Sequence, residues 1–157
     1  MNMKKIPTKE EALLSMAGLC ARSEQCAFDI RRNLRLKGMS ASDTDEIVDY
    51  LMENRYIDDS RFARSFSRDK VRFSAWGRMN IRMSLLAKRI PAAIIDRAFE
   101  EIDENDYSEA LRRTAASAVR RLDLKVYEDR LKLYKYLLSR GFESSYATAE
   151  VKRLTVK

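Results

Sequence analysis

A short pattern recurs three times along this chain and limits the folds open to it. Ile30, Leu34, Lys37, Gly38 and Met39 stand at the same offsets as Ile81, Leu85, Lys88, Arg89 and Ile90, and again as Leu133, Leu137, Arg140, Gly141 and Phe142. The copies lie 51 residues apart from Ile30 to Ile81 and 52 apart from Ile81 to Leu133. In each copy the two leading apolar residues are four apart, the spacing of one helical face, and the basic residue with its follower marks a helix end. Repetition at this period is the signature of a repeat array. A unit of this size holds three short helices and cannot bury its own apolar faces, so its neighbours must cover them. The expectation is an all-α protein: three tandem three-helix repeats forming an elongated, curved helical array. The repeats are placed at 10–57, 58–104 and 105–157, after a mobile basic tail at 1–9. Only 4 Gly and 2 Pro among 157 residues agree with helices over turn-rich sheets.

The helices are read from apolar stripes and their punctuation. Ala12, Leu13, Met16, Ala17, Leu19 and Cys20 predict a first helix from Glu10 to Arg22. Ser23 is expected to cap a second, and Gly38 to end it with Met39 beside the cap. Ser42 or Asp43 then opens a third, Asp58 or Asp59 a fourth, Ser74 restarts the chain as Ser23 does, and Pro91 stands at the first position of a sixth. Asn105 or Asp106 is expected to cap the seventh. The eighth runs from Val126 to Ser139 and the ninth from about Ser144 to Leu154.

Charge is distributed in alternating blocks around a net +7. Between Arg61 and Ile90 nine Lys or Arg face one acid, Asp69, while residues 41–60 and 91–109 each hold seven acids and one base. Such a basic segment calls for a polyanion or an acidic protein face. Arg31 with Arg35, Arg64 with Arg68, and Arg78 with Arg82 each repel across four residues of one helix face, a small structural cost that a binding role explains. The candidate contact residues are therefore Arg31, Arg35, Arg64, Arg68, Arg72, Arg78 and Arg82, with Lys132 and Lys135 in the third repeat and Trp76 between Arg72 and Arg78. For Trp76, packing between two repeats is favoured over partner contact.

Catalytic chemistry finds no foothold. The chain has no His, its two Cys do not make a zinc site, and Gly77 stands alone, far from a phosphate loop. Asp58 and Asp59 read as a helix cap with a first-turn acid. Cys20 and Cys26 read as apolar thiols in a core. No cofactor, metal, membrane segment or small-molecule substrate is expected, and the absence of a leader-like apolar run agrees with a cytoplasmic address.

The same residues resemble the RecX family of regulators of the RecA recombinase. The resemblance is carried by Ala21-Arg22-Ser23-Glu24-Gln25 with Leu34 and Lys37-Gly38, then by Tyr56-Ile57-Asp58-Asp59-Ser60-Arg61-Phe62-Ala63. Trp76-Gly77 with Ile81-Arg82 and Leu85 continues it, and Leu133, Leu137 and Arg140-Gly141-Phe142 close it. It spans Ala12 to Leu154. Arg55 and Arg89 stand where the family usually has glycine, and Gly77-Arg78 where it often has Gly-Pro. The resemblance implies a curved, non-enzymatic molecule lying in the helical groove of the RecA filament on DNA. There it would lower ATP hydrolysis and strand exchange, limit filament growth or promote disassembly, and so modulate DNA repair, recombination and the SOS response. A monomer contacting RecA, with single- or double-stranded DNA as a further partner, is the leading expectation. An autonomous, sequence-nonspecific DNA-binding protein is the alternative, and a helical scaffold with a solvated basic face the third.

Overall fold

The computed structural model describes residues 5–156, and among these every regular element is a helix. The first repeat holds α1 (Lys9–Arg22), α2 (Ala27–Leu36) and α3 (Ala41–Glu53). The second holds α4 (Asp59–Ser74), α5 (Arg78–Ala87) and α6 (Ala92–Glu100), and the third α7 (Glu104–Val119), α8 (Tyr127–Ser139) and α9 (Ser144–Thr155). Of the segment expected to be a tail, residues 1–4 lie outside the described residues. Thr8 closes a capping box with Glu11 at 3.1 and 3.2 Å, so Lys9 already belongs to α1.

Helix starts differ by their place in the repeat. The first helix of each repeat opens on a side-chain cap: Thr8, Asp58, whose carboxylate accepts the Arg61 N–H at 3.0 Å, and Asp103, which accepts the Asp106 N–H at 3.0 Å. The second helices have none. Cys26, Gly77 and Val126 precede α2, α5 and α8 without a capping bond. The expected caps at Ser23 and Ser74 are thereby corrected: Ser23 ends α1, donating its N–H to the Leu19 carbonyl, and Ser74 is the last residue of α4. Ser40 replaces Ser42 or Asp43, and Asp103 replaces Asn105 or Asp106, because each sits three residues before the amide it accepts. Pro91 caps α6 and is not its first residue.

An uncapped helix start leaves backbone N–H groups that need partners. In the first two repeats the next repeat supplies them. The Ala27 N–H donates to Asp59 Oδ1 at 3.1 Å, and the equivalent Arg78 N–H donates to the Tyr107 hydroxyl at 2.9 Å. Around the second contact the Gly77 and Met79 N–H groups also donate to the Arg140 and Gly141 carbonyls, both at 2.9 Å. The starts of α2 and α5 thus dock on the following repeat, a local deficit that joins the units into an array.

Two cores result. One lies within the first repeat, around Met16, Ile30, Leu34, Ile47, Val48 and Leu51. The other runs continuously through the second and third, from Phe62, Ile81, Leu85 and Ile95 to Tyr107, Leu133, Leu137 and Phe142, and α4 packs directly on α7. Trp76 belongs to this shared core. It meets Phe66 edge-on at 6.5 Å, and the Lys70 ammonium sits 4.5 Å from its ring centre.

Three turns hold a non-glycine residue in the left-handed region: Arg55 at φ 59°, Ala75 at φ 53° and Arg89 at φ 60°. Gly38 at φ 89° and Gly141 at φ 98° end α2 and α8. The turn at Arg89 therefore keeps the glycine geometry of its two counterparts, at a conformational cost of about 1 kcal/mol.

Candidate partner-binding surface

The basic segment 61–90 is largely neutralised by the protein itself. Arg64 pairs with Glu101 at 3.2 Å, Arg72 with Asp106 at 2.8 Å, Arg82 with Asp96 at 2.6 Å and Arg68 with its neighbour Asp69 at 3.6 Å. Arg61 pairs with Glu24 at 2.7 Å and also donates to the Arg55 and Tyr56 carbonyls, while Lys88 meets Asp29 at 2.7 Å. Three of these six acids, Asp96, Glu101 and Asp106, come from the acidic block 91–109, so that block pairs with the basic segment in the folded state. Arg31 is likewise paired, with Asp45.

Arg78 is the most deeply engaged. Its side chain is 15% exposed, bonds Glu104 and Glu143 at 2.9 Å each, and lies 3.9 Å from the Tyr107 ring centre. Burial alone would lower its pKa, but Tyr146 and Glu143 outweigh that and hold it above the usual arginine value. Tyr107 donates its hydroxyl to Glu143, and burial together with that bond pushes the phenol well above its ordinary range. This cluster fixes the second repeat to the third. Arg78 is thus engaged within the protein, and Trp76 is half-buried against the shared core.

The unpaired cations lie elsewhere. Arg35 and Lys135 have no ion pair within 4.0 Å among the described residues, and Lys132 reaches Asp129 only at 3.8 Å with 70% of its side chain exposed. In the third repeat Arg112, Arg113, Arg120, Arg121, Lys125 and Lys152 are also exposed, and none is ion-paired among the described residues. Sequence reasoning passed over these. The signal was present: residues 110–157 hold twelve bases and five acids. The structure thus brings Arg64, Arg68, Arg72, Arg78 and Arg82 into internal pairs and leaves the third repeat as the strongest uncompensated positive surface.

No cluster of three potential metal ligands occurs among the described residues, and no helix there is long and apolar enough to cross a membrane.

Residues 58–98 match the family model of the second three-helix domain of RecX. The chain is 29% identical over 132 residues to a regulatory protein RecX of Vibrio campbellii, covering 82% of this chain and 84% of that one. The chain is similar to RecX regulatory proteins over most of its length. A second RecX relative, from Clostridium botulinum strain Eklund 17B, is 29% identical over 116 residues, 72% of this chain. The chain spans 54% of that relative's length, and 60% of a Clostridium beijerinckii RecX. The crystal structure of RecX from Lactobacillus salivarius superposes with a TM-score of 0.79 at 19% identity, covering 95% of this chain and 97% of that one. The RecX fold accordingly extends over all three repeats.

Proposed function

We propose that this chain is a non-enzymatic regulator of the RecA filament, lowering DNA-dependent ATP hydrolysis and strand exchange and limiting filament growth during recombination and the SOS response. Similarity to RecX regulatory proteins supports the reading, and the uncompensated cations of the third repeat supply a surface for it. The segments 10–57, 58–104 and 105–157 act as its three units. Arg112, Arg113, Arg120, Arg121, Lys125, Lys132 and Lys135 meet the anionic partner, with Arg35 at the other end of the array. Arg64, Arg68 and Arg82 contribute through pairs whose acids are themselves exposed and exchangeable, and Arg72 through its pair with the half-buried Asp106. The protein works as a cytoplasmic monomer.

The test titrates the protein against RecA hydrolysing ATP on single-stranded DNA, beside the triple variant Arg120→Glu, Arg121→Glu, Lys125→Glu. The wild type is expected to suppress hydrolysis below equimolar ratio, and the variant to need about tenfold more protein. Equal potency of the two would refute the third-repeat surface, and absence of suppression by the wild type would refute the regulatory role. The same unpaired cations favour a second reading, direct DNA binding without RecA. It expects affinity for bare DNA that falls steeply with salt as each neutralised phosphate releases counterions.

A further inference from the structure

A basic cleft between the first and second repeats joins Arg35 to residues that the regulatory reading does not use. It has a volume of about 640 Å³ and is lined by α2, the start of α3 and the turn after α5. Arg31, Arg35 and Arg89 converge on it, opposed by one acid, Asp45, which holds a single nitrogen of Arg31. The site therefore carries two positive charges in excess.

Three further observations point the same way. Arg89 occupies a left-handed position at φ 60°, where its counterparts in the pattern are Gly38 and Gly141, and its side chain makes no ion pair or hydrogen bond among the described residues. Strain held at a residue that lines a cleft and lacks a partner is a marker of function. Thr44, on the first turns of α3, lines the cleft at 3% exposure, yet its hydroxyl has no hydrogen-bond partner. Ala41 and Thr44 also bring the positive end of α3, a helix of 13 residues, to the wall.

We propose that this cleft binds a phosphate group of a nucleotide. Arginine forks match phosphate oxygens, and a phosphate charge near two matches the excess. A carboxylate would leave one positive charge uncompensated. Phe28 and Met39 complete the lining with apolar surface on which a base or sugar can rest. The charge arrives either as a terminal phosphate on a small molecule or as two adjacent phosphodiesters, each of charge one, within a single strand.

The experiment uses the whole chain without RecA, so its failure leaves the regulatory reading standing. Pyrophosphate, a short thymidine oligonucleotide and polyglutamate are each titrated calorimetrically into the wild type, Arg89→Gly and Thr44→Val. The expected result is binding of pyrophosphate or of the oligonucleotide, weakened about tenfold in Arg89→Gly, while that variant melts at a higher temperature because its turn is relieved. Thr44→Val is expected to weaken binding less and also to melt higher. Pyrophosphate binding identifies a small-molecule source, and oligonucleotide binding without it identifies the strand. Equal affinity of wild type and Arg89→Gly, no binding of either phosphate probe, or polyglutamate binding with the same dependence on Arg89 each overturns the proposal.

Discussion

The two junctions between repeats solve the same problem with different chemistry. At the junction of the second and third repeats, glycine meets glycine. A Cβ on Gly77 would lie 2.1 Å from the Gly141 carbonyl carbon, and one on Gly141 would lie 2.7 Å from the Asn80 nitrogen. Backbone can therefore bond backbone, and one apolar core runs through both repeats. At the first junction Cys26 and Arg89 stand at the equivalent positions, and the contact is made by side chains: Asp29 with Lys88, Glu24 with Arg61, and the Ala27 N–H with Asp59. The apolar interior of the first repeat stays separate there, apart from Cys26 and Phe28, which reach across. A junction of close backbone contact and shared core unfolds as one piece with its neighbours. A junction of half-exposed ion pairs responds to salt and opens first.

The largest break in this comparison is expected from Gly77→Ala. The new methyl meets backbone that cannot step aside, and the loss should be about 3 kcal/mol or more. Trp76 fluorescence during urea unfolding reads it, since Trp76 lies in the shared core. A midpoint within error of the wild type would show that the junction is loose. Arg78→Ala comes next, at about 2 kcal/mol, because it leaves the partly buried Glu143 without its cation. Far-ultraviolet helicity should persist while the Trp76 transition moves to lower urea.

Lys88→Ala attacks the first junction and should cost about 1 kcal/mol, since its pair with Asp29 is only partly shielded from solvent. Hydrogen exchange should show the start of α2 loosened while α5 and α8 keep their protection. Raising the salt to about 1 M should reproduce much of that pattern in the wild type. Uniform exchange changes in all three repeats would contradict the separation. The smallest effect concerns Cys26, whose thiol is pushed up to about 11 by burial. The folded state holds this proton more tightly than the unfolded chain does. Its contribution is complete below pH 9 and is lost as pH rises toward 11. Wild type should therefore lose about 1 kcal/mol more than Cys26→Ala between pH 8 and pH 10. Identical pH profiles of the two would count against a buried thiol at the junction.

The sequence carried the repeats, because a helix face is written in spacing of three and four and needs no partner to be read. Ile30 and Leu34, Ile81 and Leu85, Leu133 and Leu137 are all fully buried in their cores. Gly38 and Gly141 were legible as helix ends for the same local reason, since a left-handed turn favours residues without a Cβ. Helix starts were less so. Ser23 and Ser74 have the chemistry of caps, but the starts of α2 and α5 find their partners in the next repeat, which local spacing cannot reveal.

Charge divides the same way. Composition and order determined by themselves that this chain is basic, helical and repeated. They could not decide which cations remain free. Arg78, read as a contact residue, lies between Glu104 and Glu143, 26 and 65 residues away along the chain. Gly77, which seemed solitary, touches Gly141. A cation's availability depends on whether a carboxylate arrives within 4 Å after folding, and a glycine's necessity on what backbone passes beside it. Both are properties of distant segments brought together, so only the tertiary structure could assign them.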